Sequence, residues 1–203
     1  STFQSFISRQ YSTESLREQA KKKMDQFSTE QREILTGIIE DQHGDRSTSA
    51  IKENIYKLKQ ENSVTITTGH QLNLYTGPLY VIYKIIHVLK LAEELNKQNT
   101  GIDYVPVFWM ATEDHDFEEI NHFHLFHDTI SWETEQKGPV GRFNLDDFGK
   151  TKEELLEKFE NNPEFAAYLD QYYKGESLSQ ATRRFVMSLF ADYGLIIIDA
   201  DDK

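Results

Sequence analysis

Residues 64–121 read VTITTGHQLNLYTGPLYVIYKIIHVLKLAEELNKQNTGIDYVPVFWMATEDHDFEEIN. The β-branched run Val64 to Thr68 stops at Gly69, and a polar, glycine-bearing loop follows to Pro78. A helical run extends from Leu79 to Lys97. A second apolar run, Tyr104 to Ala111, then ends in Glu113-Asp114-His115-Asp116. Strand, loop, helix, strand and polar cluster form a βαβ unit, which places ligands beyond the carboxyl ends of its parallel strands. The loop and the cluster both fall at such ends and are expected to face one pocket.

Working outward, residues 1–62 read as a helical N-terminal segment packed on the core, and residues 63–203 as an α/β unit. Leu16, Ala20, Met24 and Phe27 recur at helical spacing. Ser28 with Gln31 forms a capping box for a second helix, whose stripe is Ile34, Leu35, Ile38 and Ile39 and whose end is Gly44. A third helix is expected from Thr48 to Gln60, burying Ile51, Ile55 and Leu58. The Leu79 helix is apolar on several sides, so it should pack on the sheet and on something else. Pro106 donates no ladder hydrogen bond, so the second strand either begins after it or has an edge there.

Beyond Asn121, a helical turn at Phe117–Asn121 precedes strands at His122–Phe126 and Ile130–Thr134, joined by a turn at His127-Asp128. Helices follow around Leu155, Leu156 and Phe159, from Pro163, and from Ser177 or Ser179. Leu195 to Ile198 is a continuous apolar strand ending in Asp199, the pattern of a strand buried on both faces with neighbours on both edges.

The chain has 203 residues, no cysteine and a net charge of −12. Residues 1–63 carry ten basic and ten acidic side chains, so the excess negative charge lies in residues 64–203. An acidic surface repels phosphate backbones, which argues against nucleic acid as a partner. No run of about 18 apolar residues is present, so no membrane span is expected. Ser1 to Phe6 lacks the basic and apolar regions of a signal peptide, and without cysteine there is no disulfide framework. A cytoplasmic location is expected.

Two constellations can carry chemistry. Thr76, Gly77 and Pro78 precede a long helix, where free N–H groups and the positive dipole end favour an anion. Gly69, His70 and Gln71 lie at the strand end beside them. Glu113, Asp114, His115 and Asp116 set an imidazole between carboxylates, an acid–base arrangement with His115, Asp114 and Asp116 as the catalytic candidates. The alternatives are a structurally capped turn in each case. His122, His124 and His127 lie nearby without zinc spacing, so no metal ligand is assigned. Lys137 and Arg142, in a glycine-containing loop, suit a carboxylate or phosphate. Trp109 either walls the pocket or packs in the core, and Asn121 and Asp199 complete the binding candidates. Neither GxGxxG nor GxxxxGK[ST] occurs.

GHQLNLYTGPLYVIYK followed by VPVFWMATEDHDFEEIN resembles the bacillithiol biosynthesis cysteine-adding enzymes, the BshC or cysteine ligase family, and WETEQKGPVGR continues the pattern. The combination of GxQ…TGPLY with EDHD…EIN carries the resemblance. The family often has Gln where this chain has His70. The resemblance implies a Rossmann-like parallel sheet with helices on both faces, related to the nucleotidyltransferases and class I synthetases. It implies addition of L-cysteine to glucosaminyl-malate, with activation by ATP or another nucleotide left open. Family members are much longer, so this chain is expected to be an incomplete catalytic domain, inactive alone, with an exposed apolar patch and a homodimer possible for the full-length enzyme. The alternative is a non-catalytic nucleotide- or sugar-binding domain.

Overall fold

A computed structural model describes residues 9–125 and 127–202. Ser1 to Phe6, and Phe126 at the expected strand end, lie outside that range. Three helices come first: α1 (Thr13–Met24), α2 (Thr29–His43) and α3 (Ser49–Lys59). Each starts on a hydroxyl cap, with Ser12, Ser28 and Thr48 accepting from the N–H groups of Ser15, Gln31 and Ile51. Gln31 also accepts from the Ser28 N–H, completing the capping box. Gly44, at φ +51°, ends α2. Helix α1 stops at Met24, so Phe27 falls beyond the stripe it was assigned to. Helix α3 buries Ile51, Ile55 and Leu58.

Helix α2 departs from its apolar pattern. Ile34 and Ile38 are 58% and 47% exposed, and the inward face carries Arg32, Thr36, Ile39 and His43. The reason is hydrogen bonding. Arg32 donates to the carbonyls of Leu58, Glu61 and Ser63 and to the Ser63 hydroxyl. Buried polar groups are tolerated where such partners wait.

The sheet is parallel, in the order β1 (Ser63–His70), β2 (Asp103–Met110) and β5 (Ile196–Asp199). Register runs from Ser63↔Asp103 to His70↔Met110 and from Val107↔Ile196 to Met110↔Asp199. Helix α4 (Tyr80–Lys97) joins β1 to β2. Both alternating sets on β2 are buried, Tyr104, Phe108 and Met110 on one face and Val105 and Val107 on the other. Helices therefore cover both faces, and α4 and α3 are among those that contact β2. The second strand does not begin after Pro106. Instead Pro106 pairs with Ile66 of β1 and lies one residue before β5 joins at Val107, so its other side has no strand to bond. Helix α4 buries Val81, Ile85, Val88, Ala92 and Leu95. Ile82, Leu89 and Leu91 are partly buried against the core, while Leu79 at its cap and Tyr80, Tyr83 and Ile86 remain exposed.

Between β2 and β5 the chain forms α5 (Phe117–Ile120), the antiparallel pair β3 (His122–Leu125) and β4 (Asp128–Ser131), and then α6 (Gly149–Glu157), α7 (Pro163–Tyr172) and α8 (Leu178–Phe190). Strand β4 begins at Asp128, two residues before the expected Ile130, because Asp128 pairs with Leu125 instead of turning. Pro163 starts α7, and Ser177 caps α8 by accepting from the Gln180 N–H. Among the described residues no helix is long and apolar enough to cross a membrane.

Ile196 and Ile197 of β5 are buried, yet among the described residues the strand has one strand neighbour, not the two its apolar run suggested. Side chains stand in for the second. Gln42 accepts from the Asp199 N–H at 2.9 Å and donates to the Asp199 carbonyl at 3.0 Å, as a residue of an adjacent strand would. His43 Nε2 accepts from the Ile197 N–H at 3.1 Å, and Arg183 donates to the Ile197 carbonyl at 3.2 Å. Arg183 also donates to Gln42 Oε1. The outward backbone groups of Ile197 and Asp199 are thus satisfied without a strand.

Candidate active site

The loop after β1 divides. Its first part turns toward the segment following β2, and its second part turns away. Gln71 Nε2 donates to Asp114 Oδ2 at 2.8 Å and to Glu119 Oε2 at 2.5 Å, tying the carboxyl end of β1 to the acidic segment beyond β2. Asp114 Oδ1 accepts from the N–H groups of His115 and Asp116. The Gln71 amide first, then these backbone donors, hold the Asp114 carboxyl below its usual range. Asp116 caps α5 by accepting from the Glu119 N–H. Glu113 and His115 are exposed.

His70, half-buried, has its Nε2 3.3 Å from the Tyr80 hydroxyl, with the two rings edge to face at 5.2 Å. Burial, and secondarily Lys84, lower its pKa and favour the neutral imidazole. Lys84 donates to the Gly69 carbonyl at 2.6 Å. A Cβ on Gly69 would sit 3.5 Å from Trp109 Cβ, an ordinary contact. Trp109 is 41% exposed, so it is a surface ring beside the end of β1 and not a core residue. Val107, two residues earlier on the same face, is buried, so the cover of that face ends before Trp109.

Thr76 and Gly77 belong to a tight turn with φ of +72° and +61°. Their N–H groups donate to the carbonyls of Asn73 and Leu74, so these amides are committed within the turn. A Cβ on Gly77 would lie 2.5 Å from Asn73 Cβ, which explains the glycine. Pro78 is exposed and its carbonyl accepts from the Val81 N–H. Thr76 and Gly77 line a largely apolar cavity of about 1080 Å³ between α4, β3 and α6–α8. His70, Gln71, Asp114 and His115 do not line it. The loop and the acidic cluster therefore do not face one pocket, because the positive-φ turn at Tyr75–Gly77 swings Tyr75 into an aromatic group with Tyr173, Phe148 and Phe185.

A second polar group sits at the end of β5. The Asp199 carboxylate meets the hydroxyls of Thr112 and Ser179, and the Asp201 N–H donates to Thr112 Oγ1 at 2.9 Å. Arg142 grips Asp201 through Nε and Nη2, at 2.5 and 2.7 Å. Lys137 is exposed on the same loop. That loop folds back on the acidic segment: Val140 donates to the Asp114 carbonyl and Gly141 to that of Thr112. Asn121 bonds the His122 ring through Oδ1 and accepts from the Trp132 N–H, holding the hairpin. Tyr80, Lys84, Thr112, Glu119 and Ser179 also belong to these two groups, although the sequence had not singled them out. Tyr80 and Lys84, four apart on the first turns of α4, carried the one visible signal. Among the described residues no group of three or more acidic or histidine side chains is arranged to hold a metal ion.

A model of the bacillithiol biosynthesis BshC family, N-terminal Rossmann-like domain, matches residues 1–203. The chain belongs to that family. It is 42% identical over 194 residues to a Flavobacterium johnsoniae protein named "Putative cysteine ligase BshC", covering 93% of this chain and 37% of the relative. Proteins of the same name from Cytophaga hutchinsonii and Bacillus mycoides are 44% and 33% identical, over 84% and 73% of this chain and 32% and 30% of their own lengths. The chain thus spans about a third of the length of the curated relatives it matches. The sheet described above is the Rossmann-like domain that the family model denotes.

Proposed function

We propose that this chain is the N-terminal part of a cytoplasmic enzyme that joins L-cysteine to glucosaminyl-malate by an amide bond in bacillithiol biosynthesis. The observation that carries the reading is the Gln71 bridge, which holds Asp114 and Glu119 together at the carboxyl ends of β1 and β2. Parallel α/β sheets bind small molecules at that place. In this reading His115, presented on the segment that Asp114 fixes, takes the proton that the attacking amine of glucosaminyl-malate loses as the new C–N bond forms and the bond between the cysteine acyl carbon and its activating group breaks, that group leaving with the bonding electron pair. His70, neutral and beside Tyr80, orients substrate. Lys137, exposed on its loop, faces a carboxylate group of the substrates, and Arg142 holds that loop through its pair with Asp201.

Amide formation from a carboxylate needs an activated acyl group. The turn at Thr76–Gly77 is not a preformed phosphate cradle, since its amides are committed, and no step is assigned to a nucleotide through it. The test is His115→Ala in the full-length enzyme, with cysteine-dependent product formation as the readout. Turnover should fall by about a hundredfold or more, the scale of a lost acid–base group. Unchanged turnover in a folded variant would reduce the segment to a cap. Absence of any cysteine-dependent product from the full-length wild type would favour a non-catalytic binding domain.

A further inference from the structure

The loop that carries Lys137 is laid against the acidic segment through Thr112. This residue follows the end of β2 and is 1% exposed. Its carbonyl accepts from the Gly141 N–H at 3.0 Å, and two residues on the Asp114 carbonyl accepts from the Val140 N–H at 2.8 Å. The approach is close: a Cβ on Gly141 would stand 2.6 Å from Thr112 Cβ and 3.0 Å from its Cγ2. Any shift of Thr112 is therefore passed to the loop.

The Thr112 hydroxyl is fixed in turn by the end of β5. It accepts from the Asp201 N–H at 2.9 Å, so its single hydrogen is left for Asp199 Oδ1, which it meets. The other oxygen of Asp199 meets the hydroxyl of Ser179, buried in the first turn of α8. Hydrogen bonds from a hydroxyl to an ionised carboxylate are stronger than those between neutral groups. The Asp201 carboxylate closes the circuit by holding Arg142, at the far end of the loop. Valine would fill the same space as Thr112, and a buried hydroxyl is costly unless its bonds are used. Here they join three separate stretches of chain.

We infer that Thr112 is a positioning residue of the ligation, and that Asp199 acts through it and not on substrate. Both oxygens of Asp199 are engaged by hydroxyls of the chain itself, and the carboxylate fixes the orientation of Thr112. Thr112 then sets the distance between the His115 segment and the Lys137 loop. The inference rests on the reading above, in which Lys137 meets a substrate carboxylate.

The test uses the full-length enzyme with Thr112→Val, which keeps the shape and loses the hydroxyl, Thr112→Ser, which keeps the hydroxyl, and Lys137→Ala. Hydrogen exchange reads the loop without any need for activity. The Val140 and Gly141 amides should exchange about tenfold or more faster in Thr112→Val than in wild type, and at the wild-type rate in Thr112→Ser. Kinetics reads the consequence. Thr112→Val should raise the KM of the same substrate whose KM rises in Lys137→Ala, by about tenfold, the scale of one hydrogen bond to a charged group, with kcat little changed. Thr112→Ser should keep the wild-type KM. Adding Thr112→Val to Lys137→Ala should raise KM no further, since both act through one contact, whereas a general loss of structure would add to it. Ser179→Ala, a milder change at the other end of the same bonds, should move exchange and KM in the same direction. Unchanged exchange at Val140 and Gly141 in Thr112→Val would overturn the inference, whether or not the enzyme is active, and so would an additive double variant. A full-length wild type that forms no cysteine-dependent product, or an unchanged KM in Lys137→Ala, would instead remove the reading beneath it and, with it, any role for Thr112 in the reaction, while the exchange result still decides whether Thr112 places the loop.

Discussion

Acid should loosen the outer edge of β5, and His43 sets the pH range in which it does so. The ring is 2% exposed, and its Nε2 accepts from the Ile197 N–H. Burial first, then the positive charge of Arg183, pushes its pKa down from 6.5 to about 4. The unfolded chain therefore takes up a proton between these values that the folded chain refuses. Stability from this group is complete above pH 6.5 and declines as pH falls toward 4. At about 1.4 kcal/mol per pH unit, the loss reaches about 2 kcal/mol at pH 5 and about 3 kcal/mol at pH 4. The assay is urea unfolding, followed by the fluorescence of the buried Trp132, for wild type and His43→Gln across pH 4–7. Wild type should be the more stable at pH 7, and its advantage should shrink by about 3 kcal/mol by pH 4. A difference that stays constant with pH would show that His43 does not titrate in this way.

Two further outcomes follow from packing. The Tyr75 hydroxyl is buried with no hydrogen-bond partner among the described residues, so Tyr75→Phe should leave stability unchanged or raise it by up to about 1 kcal/mol. A clear loss would mean the hydroxyl is bonded. A Cβ on Gly141 would lie 2.6 Å from Thr112 Cβ and 2.9 Å from the Thr112 carbonyl oxygen, so Gly141→Ala should cost about 1–3 kcal/mol. Gly149→Ala, with nothing within 4 Å, is the control for both and should be neutral or better in the same unfolding measurement.

Local chemistry made much of this fold readable. The Ser28–Gln31 box, the Thr48 cap, Pro163 and the βαβ order all act over a few residues, and each left its mark in the sequence. Long-range hydrogen bonds leave no such mark. Arg32 and His43 look like surface residues of α2, and Ile34 and Ile38 look like core. The assignment reverses because Ser63 and Ile197 hold backbone groups that only the polar side chains can satisfy. The same holds at the site. The GHQ and EDHD segments announced polar chemistry, but the geometry of Tyr75–Gly77 sent the second half of the loop into another cavity. Glu119 entered through a side-chain bond to Gln71, 48 residues away.

The closure of β5 by Gln42 has a consequence for the order of events on the ribosome. The two residues are 157 apart, and α2 leaves the exit tunnel long before β5 is made. The end of its polar face then waits with Gln42 and His43 unpaired until β5 arrives. The late strand meets both partners at once, β2 on one side and a ready-made side-chain rail on the other, and it never offers an open edge to a neighbouring nascent chain. Losing Gln42 should therefore be felt in the soluble yield during synthesis more sharply than in the equilibrium stability of protein that has already folded.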